Sequence, residues 1–176
     1  MVTREVGTDG QWVQVTDAGE QRLRREHAAF SEVFEPASRT LQLQGTVTTG
    51  MGEGRHYIAL DGYATQFRER LGYAPYPGTL NLELDQQSVR DRSALSQHDG
   101  IAITAWESDD RTYGSATCYP AALGFDARRA DRAHVIVPDR THHDASQLEV
   151  IAPVRLRETL GLVDGDTVTV LIGDER

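Results

Sequence analysis

Thr79-Leu80-Asn81-Leu82-Glu83-Leu84 (residues 79–84) decides the fold. Three leucines at alternate positions predict a β-strand with one buried face, and Thr79 and Asn81 then share the opposite face. The same short, alternating pattern extends in both directions along the chain. Leu41, Leu43 and Val47 predict a strand before it, and Tyr57–Leu60 another. Further strands are expected near Ile101–Trp106, Tyr113–Leu123 and His134–Val137. A closing strand with Val168, Val170 and Ile172 alternating follows the turn Asp164-Gly165-Asp166. Only two helices interrupt this series. Tyr63, Phe67 and Leu71 fall on one helix face that Gly72 is placed to end, and Pro153 opens a short helix ending at Gly161. Many short strands with two short helices predict a mainly β fold, a small β-barrel.

Composition restricts the chemistry. The 176 residues carry a net charge of −9, and all 18 basic residues are Arg. Without Lys there is no P-loop lysine and no Schiff-base lysine, so phosphate must be handled by Arg, backbone N–H groups and a metal. An acidic, Lys-free surface suits high salt, where self-repulsion is screened within a few Å. It also argues against a broad nucleic-acid surface, which needs a basic face. The single Cys118 excludes an internal disulfide framework and a cysteine-based zinc site. No apolar run approaches the roughly 20 residues needed to cross a bilayer. No signal-peptide pattern opens the chain, so no membrane partner and a cytoplasmic location are expected. Oligomeric state is not legible.

Residues 1–35 stand apart from a main domain at 36–176. Val2–Val6 and Gln11–Val15, joined by Gly7-Thr8-Asp9-Gly10, predict a hairpin. Thr16 or Asp17 would cap a following helix carrying Leu23, Ala28, Phe30, Val33 and Phe34. A hairpin and helix resemble the wing and last helix of a winged helix-turn-helix domain whose recognition helix is missing. A hairpin and helix that pack on the main domain are the alternative.

Three segments carry candidate chemistry. Gly50-Met51-Gly52-Glu53-Gly54-Arg55 sets glycines at alternate positions after a strand, so backbone N–H groups can approach an anion while Arg55 adds a forked cation. An ordinary Gly-rich hairpin loop has the same composition. Thr79 and Asn81 offer two neutral, hard oxygen ligands of the kind Mg²⁺ accepts when phosphates and waters complete its shell. The same two side chains could instead bond a neighbouring loop. Arg140-Thr141-His142-His143 is followed by Glu149. Adjacent histidines on an extended strand face opposite ways, which disfavours a shared metal ion. Glu149, ahead of Val150-Ile151-Ala152, is a candidate general base, or a salt-bridge partner for Arg155 or Arg157. Those arginines, in Val154-Arg155-Leu156-Arg157, stand at the start of the second helix, a setting that favours phosphate.

Taken together these segments resemble the archaeal CTP-dependent riboflavin kinases. The resemblance runs through Gly45-Thr46-Val47, Gly50–Arg55, Tyr63 with Gln66-Phe67, Leu71-Gly72-Tyr73, Pro75–Leu82 and Arg140–His143. It continues in Glu149, Ile151–Arg157, Leu162, Asp164-Gly165-Asp166 and Val168. It implies a six-stranded cradle-loop barrel that transfers the γ-phosphate of CTP to riboflavin, giving FMN and CDP. By the same resemblance Gly50, Met51, Gly52, Glu53, Gly54 and Arg55, with Val154, Arg155, Leu156 and Arg157, would hold the nucleotide. Thr79 and Asn81 would hold Mg²⁺, and Thr141 and Glu149 would contact the flavin. Some members of the family carry an N-terminal winged helix and regulate transcription. A flavin-responsive, DNA-binding regulator is therefore the alternative function, with the missing recognition helix and the acidic charge against it.

Overall fold

A computed structural model of the chain describes residues 2–7, 10–16, 19–20, 22–23, 40–50, 52–108, 111–139 and 144–173. The chain divides into two compact units, Met1–Arg39 and Thr40–Arg176. In the first, β1 (Val2–Gly7) and β2 (Gly10–Val15) pair as an antiparallel hairpin in which Gly7 meets Gly10. Thr16 caps the turn that follows, its Oγ1 accepting from the Gly19 N–H at 3.2 Å. Ala28, Phe30, Val33 and Phe34 of the expected helix lie outside the described residues.

The second unit is a closed barrel. Its elements are β3 (Leu41–Thr48), α1 (Glu53–Ile58), α2 (Asp61–Leu71), β4 (Leu80–Leu84), α3 (Gln86–Asp91) and a 3-10 turn (Arg92–Gln97). Then come β5 (Ile101–Ile103), β6 (Trp106–Ser108), β7 (Arg111–Tyr113), β8 (Ala116–Phe125), β9 (Arg128–Pro138), β10 (Gln147–Ile151), α4 (Leu156–Leu160) and β11 (Thr167–Ile172). The sheet runs β11-β3-β4-β10-β9-β8, and β11 returns to pair with β8, so six antiparallel strands close on themselves. Strand β5 adds to the outside of β8. The barrel expected from the alternating leucines is present, with no free edge among the six.

Alternation decides which side chains fill the interior. Leu80, Leu82 and Leu84 point inward with Leu43, Val47, Leu148, Val150, Val168, Val170 and Ile172, all buried in one cluster. Gly45 lies where a Cβ would stand 3.0 Å from Leu82 Cβ, so β3 and β4 pack closely there. A second cluster, Ile58, Phe67, Ile103, Cys118 and Ile151, packs on the outer wall, where α2 covers the sheet.

Two local expectations are corrected. Tyr57 and Ile58 belong to helix α1 rather than to a strand over Tyr57–Leu60. Gly52, at φ 80°, turns the chain into that helix, and only Ile58 is buried while Tyr57 is half exposed. A four-residue apolar run does not distinguish strand from helix by itself. The helix after β4 went unanticipated, although its signal is local: Asp85 caps α3 by accepting from the Ser88 N–H at 2.7 Å. The helix on Tyr63, Phe67 and Leu71 stands as expected, ended by Gly72 at φ 74°. The last helix also ends at its glycine, Gly161 at φ 72°, but starts at Leu156, not Pro153.

One buried polar pair lies behind the outer wall. Tyr73 Oη and His134 Nδ1 are 2.8 Å apart, and Tyr73 Oη also reaches the Ile151 carbonyl at 3.3 Å. Burial, and then the nearby Arg132 guanidinium, push the His134 pKa down to about 4. The unfolded chain therefore binds a proton that the native chain refuses between about pH 6.5 and pH 4. Stability should be complete above about pH 6.5 and fall as pH drops toward 4. Urea midpoints at neutral pH and at about pH 5 should show a larger loss for the wild type than for His134→Asn.

Candidate functional site

The barrel register builds the site. Reading across neighbouring strands, Ile101, Cys118, Ile136, Glu149, Asn81 and Thr48 stand opposite one another in turn. In-register residues share a face, so this row crosses the outer wall from an apolar end to a polar end. Ile101, Cys118 and Ile136 belong to the outer cluster under α2. Asn81 and Thr48 line a cleft of about 360 Å³. Glu149 stands where the two meet.

The cleft has two walls and a floor. One wall is Thr48, Thr49, Gly50, Gly52, Gly54 and Arg55, from the end of β3 into α1. The other is Val154, Arg155, Leu156 and Arg157, leading into α4. Thr79, Leu80, Asn81, Val150 and Ala152 lie between them, with Tyr76 and Pro77 at the side. Residues more than a hundred positions apart are thus brought around one space. Met51 and Thr141 lie outside the described residues, as do Arg140, His142 and His143, and for Glu53 only the backbone is described.

The glycines make this approach possible. A Cβ on Gly50 would stand 2.4 Å from Asn81 Nδ2, and one on Gly54 would stand 2.8 Å from Thr79 Oγ1. The loop therefore rests directly on the two proposed metal ligands, and a side chain at either glycine would displace one of them. The Gly-rich segment is also not a plain hairpin loop, because it opens α1 at Glu53.

Hydrogen bonds orient the polar groups. The Thr79 hydroxyl donates to Glu149 Oε1 at 3.2 Å, leaving the Thr79 oxygen lone pairs for another partner. Among the described residues neither Arg155 nor Arg157 pairs with Glu149. Arg155 pairs with Glu158 at 2.5 Å, and Arg157 pairs with Asp164 at 2.7 Å while also donating to the Thr48 carbonyl at 2.9 Å. Glu149 thus accepts from Thr79 in a position between apolar and polar surface. Thr48 and Thr49 were not anticipated as cleft residues. Their signal was Thr48-Thr49 running straight into Gly50 at the end of a predicted strand.

A donor set of one hydroxyl and one amide oxygen suits a hard divalent cation that takes its remaining ligands from phosphate and water. Among the described residues no cluster of three or more His, Cys, Asp or Glu offers a self-sufficient metal site. A cleft with Gly-rich backbone, forked cations and a partial oxygen ligand set is that of a phosphate-handling protein. A family model for CTP-dependent riboflavin kinases, described as domain of unknown function DUF120, matches residues 47–172. The chain is 58% identical over 167 residues to the riboflavin kinase of Haloquadratum walsbyi, covering 95% of this chain and 71% of that protein. It is 56% identical over 171 residues to the riboflavin kinase of Halobacterium salinarum, covering 97% and 73%. To that of Archaeoglobus fulgidus it is 39% identical over 170 residues, covering 97% and 70%. The chain belongs to the CTP-dependent riboflavin kinase family, and it is a phosphotransferase.

Because Gly50 is pressed against Asn81, Gly50→Ala should move that amide while leaving the barrel intact. Steady-state kinase assays should show turnover lowered about tenfold to a hundredfold, with the far-UV circular dichroism unchanged.

Proposed function

We propose that the cleft transfers the γ-phosphate of CTP to the ribityl 5′-hydroxyl of riboflavin, giving FMN and CDP. The observation that carries this reading is the position of Glu149, between the apolar outer cluster and the polar cleft. Riboflavin has the matching shape, a flat apolar ring system joined to a polyhydroxyl chain. A ligand of that shape would set its hydroxyl chain toward the cleft, with its terminal hydroxyl beside Glu149. The alternative of a DNA-binding regulator draws no support from the family or from the relatives.

Phosphoryl transfer asks for positioning and charge neutralisation more than for covalent catalysis. The ribityl oxygen forms a bond to the γ-phosphorus as the bond from that phosphorus to the β–γ bridging oxygen breaks. CDP departs with the electron pair, and Glu149 takes the hydroxyl proton. Backbone N–H groups of Gly50–Arg55, with the guanidinium groups of Arg55, Arg155 and Arg157, carry the charge that develops on the phosphoryl oxygens. Val154 and Leu156 complete that wall. Met51 and Glu53 belong to the nucleotide loop, and Thr141 to the flavin side, by their place in the motifs. Thr79 and Asn81 hold Mg²⁺, which supplies further neutralisation to the phosphates when bound. The hydrogen bond from Thr79 to Glu149 links the metal ligand to the base.

The surroundings fit an acidic, Lys-free protein working in a salt-rich cytoplasm, where screening removes the self-repulsion of a −9 charge. Among the described residues no helix is long and apolar enough to cross a membrane.

Glu149→Gln is expected to lower turnover by roughly 10²–10⁴-fold with riboflavin affinity nearly unchanged, read by stopped-time FMN assays beside flavin fluorescence titration. Wild-type turnover in that variant would remove Glu149 from the base role. The double variant Thr79→Ala/Asn81→Ala should need a higher Mg²⁺ concentration for half-maximal rate, and an unchanged metal titration would contradict the ligand assignment.

A further inference from the structure

The turn Asp164-Gly165-Asp166 has no part in the reaction above, yet several hydrogen bonds tie it to the cleft. Its backbone is bonded to the end of β3: the Val47 N–H donates to the Asp166 carbonyl at 2.8 Å, and the Gly165 N–H donates to the Val47 carbonyl at 2.9 Å. Asp166 Oδ2 accepts from the Val163 N–H at 2.8 Å and closes the turn on itself. Gly165, at φ 95°, takes the left-handed conformation that this close return needs. The Asp164 carboxylate is thereby set against the two cleft walls at once. Oδ2 accepts from the Thr49 hydroxyl at 2.6 Å, and Oδ1 accepts from Arg157 Nη2 at 2.7 Å. The same Nη2 donates to the Thr48 carbonyl at 2.9 Å.

We propose that Asp164 is a positioning residue that locks the β3 end of the cleft to the α4 wall and holds the Arg157 guanidinium in place for the nucleotide phosphates. This rests on the reading of the cleft as the nucleotide site. The contrast with Arg155 supports it. Among the described residues Arg155 pairs with Glu158, three positions on, whereas Arg157 joins segments 109 residues apart. The Arg157–Asp164 pair is also partly exposed, 28% and 53% by side chain. A pair of that exposure contributes little to folding. Its larger effect is to spare the ordering of a long, flexible side chain when ligand arrives, which raises affinity through preorganisation. The Thr49 hydroxyl and the Arg157 guanidinium hold the Asp164 carboxyl below the usual carboxylate range, so the tie persists throughout the neutral pH range.

The test is a set of binding titrations with CDP and Mg²⁺ as the nucleotide probe and riboflavin as the second probe. Wild type, Asp164→Ala, Asp164→Asn, Arg157→Ala and the double variant Asp164→Ala/Arg157→Ala are compared, with thermal melts for each. Asp164→Ala should weaken CDP binding about tenfold, leaving riboflavin affinity and melting temperature at wild-type values. Asp164→Asn, which keeps one acceptor, should fall between. The double variant should bind CDP no worse than Arg157→Ala alone, because the carboxylate acts through that arginine. Wild-type CDP affinity in Asp164→Ala, beside a weakened Arg157→Ala, would overturn the positioning role and leave the nucleotide site standing. Additive losses in the double variant, or equal losses for both ligands with a lowered melting temperature, would also overturn it. If Arg157→Ala binds CDP like wild type, both the proposal and the nucleotide reading of this wall fail.

Discussion

Closure of the barrel by β11 is the constraint on which everything else depends. This last strand is bonded to β3 on one side, Val168 opposite Gly45, and to β8 on the other, Leu171 opposite Ala122. A sheet that closes loses the freedom to slip, since a shift of one residue would turn the leucines of β4 and the valines of β11 outward together. Register is therefore fixed all the way round. That fixed register is what places Thr48, Asn81 and Glu149 side by side on three different strands.

The inner and outer faces of the strands do separate work. Inward residues form one apolar cluster, and they hold the fold. Outward residues grade from an apolar patch beneath α2 to hydroxyl, amide and carboxylate groups under the Gly-rich loop. Glu149 stands at the change of polarity because β10 lies between β9, which carries Ile136, and β4, which carries Asn81. Loops supply the cations and the close backbone, and the barrel supplies their alignment. Function here is a property of neighbouring strands rather than of any single motif.

Much of this was readable in the residues, because alternation is a local signal and the barrel is made of it. The strand over Leu80–Leu84, the closing strand through Ile172 and the glycine stops at Gly72 and Gly161 all follow from spacing alone. Helix α1 did not follow, since Tyr57-Ile58-Ala59-Leu60 has no period long enough to tell helix from strand. Its helical state comes from Gly52 and from the outer pocket that takes Ile58. The cleft was legible as a set of residue types but not as a space. No spacing in the chain shows that Gly50 rests on Asn81 and Gly54 on Thr79, because those contacts join segments about thirty and twenty-five residues apart. Asp164 was visible only as a turn residue, its bonds to Thr49 and Arg157 being tertiary.

Family membership and cleft geometry converge on one reaction, and direct product formation tests it best. The measurement is chromatographic detection of FMN after incubating the protein with riboflavin, Mg²⁺ and CTP or ATP in turn, at high and at low salt. FMN formed from CTP, with one CDP released for each FMN, is the predicted result. No FMN from any nucleotide at either salt concentration would contradict the account.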